Sequence, residues 1–387
     1  MKVTKSIKIK IFNYFLSLFL LMYNNCLKKS YNNLKSIKTF EFENIFNIGI
    51  NYYYTILIFE SNPYHYECTP GYAKYFIDLG YNIDIIMNKK GIDTFCLFDS
   101  VKKIRLFTFD NINQVYNNTK KLNLIFNKYA YILIETTEPK NKELFQKLGF
   151  FNINNSIFVL HHIDFSESMK ISNYYKLNRI WSLGNFDNSL EVNPHYFGKI
   201  KLRRKNNKTK FFITSTVQRN YRFLISAVEK LNKENLYFEI IVIGKVKKFS
   251  HKNIRKKIQK FFNFKYNVNY SELYREVESS DYIIINLDPN NKNDQQFIKI
   301  RVTGSAQLSY GFYKPALINR KYAEFYKMNV NNSFIYDNSN FYEIMREAII
   351  LNNHDYKLKQ NNLIKLSKNI YKNSYKNIKM TIDSIMK

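Results

Sequence analysis

The chain is poor in the residues that usually punctuate or brace a fold. Among 387 residues there are 10 Gly, 6 Pro, 3 Cys and 1 Trp. The cysteines, Cys26, Cys68 and Cys96, show no CxxC spacing, which excludes a disulfide-framed domain and a structural zinc site. A reducing, cytoplasmic compartment is the simplest reading. Low glycine and proline exclude collagen-like and low-complexity chains. Several catalytic signatures are missing as well: there is no GxxxxGK[ST], no HExxH and no GxSxG. The loop after the first clear strand reads ESNPYHYE, where a hydride-transfer dinucleotide site would want GxGxxG. The longest apolar run near the N-terminus, Ile11 to Tyr23, is short of the roughly 20 residues that span a bilayer.

What is present describes an ordinary globular interior with an unusual charge. Hydrophobic residues make up 45% and charged residues 24%, enough to build a sizeable core, and the length fits two domains better than one. Lys and Arg number 60 against 31 Asp and Glu, a net charge of +29. Nucleic acid, an anionic membrane surface and phosphorylated substrates all suit such a field. The same composition is rich in Asn, Ile, Tyr and Phe, as expected of an AT-rich genome, so part of the lysine excess carries no chemistry.

Residues 1–45 form a basic and apolar N-terminal segment. Four lysines precede the apolar run, and Lys28 and Lys29 follow it. A signal peptide has this outline but wants small residues at its cleavage site, and Asn24, Asn25 and Cys26 stand there instead. An amphipathic helix lying in the membrane interface, its lysines on anionic head groups, fits better.

From residue 53 the pattern alternates between strand and helix. Short apolar β-branched runs mark strands at 54–59, 82–87, 103–109, 131–134, 156–160 and 179–183, with helical stretches at 71–81, 113–128 and 140–148 between them. A basic polar stretch at 202–209 reads as a linker. Strands at 210–214, 237–244, 281–286, 315–318 and 333–336 follow, alternating with helices at 221–232, 254–262, 270–279 and 303–311, and the chain is helical again from 340. This rhythm is that of an α/β chain with two Rossmann-like domains, at 53–200 and 209–350, and a C-terminal helical tail at 351–387. Paired domains of this kind hold a ligand in the cleft between the carboxyl ends of their strands.

Four segments of the second half, Phe211–Asn220, Ile240–Lys245, Val268–Pro289 and Lys299–Leu317, resemble the nucleotide-sugar domain of bacterial GT-B glycosyltransferases of the lipopolysaccharide and capsule type. Ser61–Ile85 and Leu183–Gly198 resemble the acceptor-side domain of the same enzymes. The likeness covers roughly residues 54–350. It implies transfer of a sugar from a nucleotide-sugar donor to a cell-surface glycan or lipid-linked acceptor, without metal and without a cofactor other than the substrate. One departure is plain: many retaining members carry two glutamates eight positions apart, and Thr303–Gly311 has neither.

Site candidates follow from what such chemistry needs. Lys299 and Arg301 precede Thr303-Gly304-Ser305 at a helix start, where free amides and a hydroxyl can hold phosphate; an ordinary capped helix is the competing reading. Arg219, Gly244 and Lys245 lie at or just past strand ends on the cleft edge. Asp288 can accept from a ribose or sugar hydroxyl, or cap its own turn. His65 and Glu67, in the loop after the first strand, are placed to take the acceptor proton. His161 and His162 end a strand on the same cleft, and Asn193 and His195 are expected along the acceptor wall. No third partner makes the His pair a metal site.

Two other readings compete. A nucleic-acid binder would gather its basic residues on one face, whereas here they spread along the sequence, so nucleic acid is not expected as a partner. A non-catalytic two-domain sugar-binding protein would require export. The expected setting is cytoplasmic, peripheral on the inner membrane.

Overall fold

A computed structural model describes residues 37–47, 54–171, 178–215, 219–244 and 254–386. The expected interfacial helix and Lys245 lie outside the described residues.

Two wholly parallel sheets dominate. The first holds β1 (Lys38–Glu41), β2 (Thr55–Glu60), β3 (Asn82–Asn88), β4 (Ile104–Phe109), β5 (Tyr131–Ile134), β6 (Ser156–Leu160), β7 (Ile180–Ser182) and β8 (Leu190–Glu191), in the order β1-β4-β3-β2-β5-β6-β7-β8. The second holds β9 (Thr209–Ser215), β10 (Phe238–Gly244), β11 (Phe262–Tyr266), β12 (Tyr282–Ile285), β13 (Ala316–Asn319) and β14 (Phe334–Tyr336), in the order β11-β10-β9-β12-β13-β14. From β2 in the first sheet and from β9 in the second, the chain winds outward in both directions, with β1 joining the far edge of the first sheet beside β4. This creates one switch point between β2 and β5 and another between β9 and β12, where loops diverge and leave a crevice.

The strands read as continuous apolar runs because both faces are covered. Ile56 and Ile58 of β2 enter one core while Leu57 and Phe59 enter the other. In β10, Ile240 and Val242 face one way and Ile241 and Ile243 the other. The α/β class with two Rossmann-like parallel sheets expected from the sequence is present.

Four details differ from expectation. Residues 38–41, counted with the N-terminal segment, add the edge strand β1 by pairing with β4, with Phe40 opposite Phe107. The helix expected at 254–262 is a short 3-10 turn, Lys256–Phe261, followed by β11; strand pairing with β10 overrides a helical pattern this short. The helix expected at 113–128 is two, Ile112–Asn117 and Thr119–Phe126, which meet at Asn118. The C-terminal tail is no appendage. It begins on the second domain, where Tyr356 donates to the Asp281 carbonyl at 3.1 Å, and ends on the first, where Trp181 Nε1 donates to Thr381 Oγ1 at 2.9 Å.

Candidate active site

The carboxyl ends of both sheets meet across an interface of polar bonds and close packing. Tyr270, which opens α3 (Tyr270–Ser279; α1 is Thr69–Asp78 and α2 Arg222–Lys233), donates to Glu67 Oε2 at 3.0 Å. The Ser271 amide donates to Asp93 at 2.7 Å, and the Ile163 amide to the Ile300 carbonyl at 2.9 Å. A Cβ on Gly311 would lie 2.3 Å from the His195 carbonyl oxygen, so the chain at His195 passes the helix Gly304–Phe312 this closely only because glycine stands there.

On the nucleotide side the centre is α4 (Gly304–Phe312). Its N-cap Thr303 makes no side-chain cap. The Thr303 amide is already used, donating to Tyr326 Oη at 3.1 Å. Ser305 is buried and its hydroxyl lies 3.0 Å from Thr214 Oγ1 at the end of β9. Thr303 and the Ser305 hydroxyl therefore brace the helix against the sheet. What remains for an anion is the helix N-terminus itself, with Gly304 at its tip. A Cβ built on Gly304 would meet nothing within 4 Å, so there is open space beside the positive end of the helix dipole, although the Ala306 amide already donates to the Thr303 carbonyl.

Two arginines flank this opening. Arg219 is ion-paired with Asp294 and its guanidinium lies 4.4 Å from the Phe297 ring centre. The Arg301 guanidinium lies 4.3 Å from the centre of the same ring. Arg301 Nε is buried with no partner in the protein. Burial, and next the charge of Arg219, push the Arg301 guanidinium below its ordinary value, so an anion arriving here relieves both penalties. Lys299 is exposed beside them. Asp288 is filled by its own domain: it accepts from Asn220 Nδ2 at 2.9 Å, the Asn290 amide at 3.0 Å and Asn338 Nδ2 at 3.3 Å. It shapes the loop, which is the turn-capping reading. Gly244 ends β10, with its carbonyl accepting from the Asn267 amide.

The acceptor side is built differently. β2 ends in Glu60, and Glu135 directly follows β5; both are fully buried at the switch point. Glu60 accepts from the Asn62 amide and the Thr136 hydroxyl, and Glu135 from Thr69 Oγ1 at 2.7 Å. Burial pushes Glu60 up to about 8. Glu135 is held well above the usual carboxylate range by burial and then by the neighbouring Glu60. The pair therefore keeps at least one proton at neutral pH. Above it, the His65 and His161 rings stack at 3.8 Å, and His65 Nε2 lies 4.0 Å from Glu138. Burial, and next His65, hold His161 well below its ordinary value; its Nε2 has no partner in the protein. His162 stacks on Phe165 at 4.6 Å, and its depression comes from burial first, with the charges of Asp164 and Arg301 also felt.

The structure thus brings His65, His161, His162, Arg219, Arg301 and the start of α4 to one seam between the two sheets, linked by the His65–His161 stack, the charge of Arg301 felt at His162, and the two arginines on the Phe297 ring. Glu67 faces it from the rim, bonded to Tyr270. Asn193 and His195 do not line it. Both are buried, and His195 is held between Asn193 Oδ1 at 3.0 Å and Ser367 Oγ at 3.0 Å. Burial depresses its ring to about 4, so it is a neutral residue that ties the C-terminal helix to the end of the first domain rather than a group of the His65 seam. Sequence reasoning missed Glu60, Glu135, Glu138, Asp294 and Phe297. A signal existed for the first two: TILIFE and YILIE are apolar strands that each close on the same acid.

Comparison with known proteins supports the architecture. No family model and no curated protein matches this chain. Among solved structures it is similar to an α-glucosyltransferase in complex with UDP and a 13-mer DNA containing an HMU base, at 13% identity and a TM-score of 0.58, covering 86% of this chain and 99% of that one. A glycosyltransferase from Rickettsia africae aligns at 15% identity and a TM-score of 0.49, covering 86% and 99% of the two chains. HepE from Anabaena, in complex with UDP and glucose, aligns at 14% identity and a TM-score of 0.49, covering 85% and 99%. Identities this low speak to the fold alone: the chain is an α/β protein of two-domain GT-B architecture.

Proposed function

We propose that this protein is a glycosyltransferase that moves a sugar from a nucleotide-sugar donor to a cell-surface glycan or lipid-linked acceptor, without a metal ion. The observation that carries the reading is one seam between the sheets with two opposed chemistries. Exposed helix-start amides and the unpartnered Arg301 lie on one wall, and a histidine pair over buried carboxyl groups lies on the other. The amides of α4, with Arg301 and Lys299, take the diphosphate and stabilise the charge that develops on the departing nucleotide. Arg219, held by Asp294, keeps the Phe297 platform in place. His65, oriented by Glu138, takes the proton of the acceptor hydroxyl as its oxygen attacks the anomeric carbon. The 4.0 Å separation of that pair tightens when substrate fills the cleft. A nucleotide sugar is a substrate here, and no other cofactor is called for.

The acceptor is placed at the inner face of an anionic membrane by the basic, apolar N-terminal segment, which sets the enzyme in the cytoplasm as a peripheral protein. Among the described residues no helix is long and apolar enough to cross a membrane.

A panel of nucleotide sugars and nucleoside diphosphates tests the donor assignment by thermal shift and calorimetry. A ligand at about 100 times its Kd stabilises the folded state by about 2.7 kcal/mol, and that rise is expected for one nucleotide class. A chain whose melting point and calorimetric trace ignore the whole panel is not this enzyme.

A further inference from the structure

The C-terminal helix α6 (Asn353–Met386; α5 is Phe341–Ile350) carries a feature that sugar transfer leaves unused. Its buried residues recur at three- and four-residue steps from Tyr356 through Leu363, Ile370 and Ile378. That stripe packs on both domains. The opposite stripe is Lys357, Lys365, Lys368, Lys372, Lys376 and Lys379, all exposed. At 3.6 residues per turn the six lie within an arc of about 100° along about 33 Å of helix. Among the described residues none of them pairs with a carboxylate. Asp383 is the acid at the far end of that face. Asp78, on α1 alongside, is already bound by Lys74 and Tyr371. Two of the large apolar side chains left exposed flank this face: Leu358, 55% exposed, at the edge of the arc, and Met380, 41% exposed, about 40° beyond it.

We propose that this lysine stripe is a docking face for an anionic lipid bilayer. The charge selects a polyanion, and the geometry selects a flat one. Six ammonium groups on a straight rod meet a plane together, all inside a Debye length of about 8–10 Å. A duplex backbone winds through a full turn in about 34 Å, so a straight stripe of this length would meet its phosphates only in part. Leu358 and Met380 have nothing to do against phosphates, but they fit the boundary between head groups and acyl chains. The lysine stems can lie along that boundary while their charges reach the head groups. The proposal rests on the peripheral-membrane part of the reading above and adds a second contact, on the described fold, to the one made by the N-terminal segment.

The test uses the full chain and co-sedimentation with phosphatidylcholine vesicles, with and without phosphatidylglycerol. The stripe variant replaces Lys365, Lys368, Lys372, Lys376 and Lys379 with Gln. A charge-matched control replaces the exposed Lys89, Lys90, Lys102, Lys103 and Lys120 with Gln. Each lysine at an anionic surface changes partition by about fivefold. The stripe variant is therefore expected to lose more than about tenfold in binding to phosphatidylglycerol vesicles, and the control much less. A variant carrying Leu358→Ser and Met380→Ser keeps every charge and is expected to lose a smaller share. Equal losses in stripe variant and control overturn the stripe. So does a stripe variant that loses duplex DNA binding while vesicle binding stays intact. An unsubstituted chain that ignores anionic vesicles sinks the membrane reading as a whole, which is a different result from a stripe variant that binds as the native chain does. Since all five sites are exposed, an unchanged melting point is the check that the stripe variant is folded.

Discussion

The two switch points have the same topology and opposite electrostatics. Between β9 and β12 the crevice is rimmed by Arg219, Arg301 and the amide end of α4. Between β2 and β5 it is floored by Glu60 and Glu135 and roofed by His65 and His161. A doubly wound sheet supplies a crevice and nothing more; the residue that closes each strand decides what the crevice can hold. Cations and amides serve a phosphate. Proton-holding carboxyls and a neutral imidazole serve a hydroxyl. The tight internal bonding of Asp288 and Asp294 points the same way, since the acids of this domain are consumed in fixing loops and pairing Arg219, which leaves the crevice with a surplus of positive groups.

The largest expected break in this comparison is at Arg219. Replacing it with Ala leaves Asp294, 1% exposed, buried without its partner, at a cost of about 3–5 kcal/mol in stability. Urea denaturation reads it, and replacing both residues with Leu recovers most of the loss. The next effect belongs to the other crevice. The folded chain holds the Glu60 proton to about 8, against 4.5 for a free glutamate. The associated stability is whole below the lower value and is lost as the pH rises through the upper one, at about 1.4 kcal/mol per pH unit in the window between. The melting point is expected to fall across that window, and Glu60→Gln, neutral at every pH, flattens the fall. A native curve as flat as the variant's contradicts the buried pair.

Arg301→Ala sharpens the contrast without touching the fold's ion pairs. It removes a charge-assisted contact worth about 1.5–3 kcal/mol to a diphosphate, which calorimetry with the bound nucleotide measures; the same ligand should lose little on Glu60→Gln. The smallest effect is at the join. Tyr270→Phe removes the bond to Glu67, worth about 0.5–1.5 kcal/mol, and is expected to loosen domain closure, so KM moves more than stability does.

Much of the frame was legible along the chain. Apolar runs such as TILIFE and DYIIIN announce strands covered on both faces, and their alternation with helices is the α/β rhythm itself. Arg219, Arg301 and Gly304 were legible by position, after a strand or at a helix start. The identities of the bracing groups were not. Ser305 and Thr303 have the chemistry of phosphate ligands, yet Thr214 and Tyr326, distant in sequence, already hold them. His195 has the chemistry of an acceptor contact, yet Ser367 claims it. Glu138, in turn, gains a role only because the loop after β2 folds back over the loop after β5. β11 was missed although FNFKY alternates apolar and polar residues; a pattern of five residues is too short to decide by itself, and pairing with β10 decides it.

By itself, then, the sequence determined the periodic elements, their two-domain grouping and the surplus of positive charge, because burial on both sheet faces and helix amphipathicity are written at local spacing. Which polar groups stay open to a ligand was decided only in the tertiary structure. A hydroxyl or carboxylate is free or spent according to what lies within about 3 Å of it, and those neighbours come from strands and helices far apart in the chain.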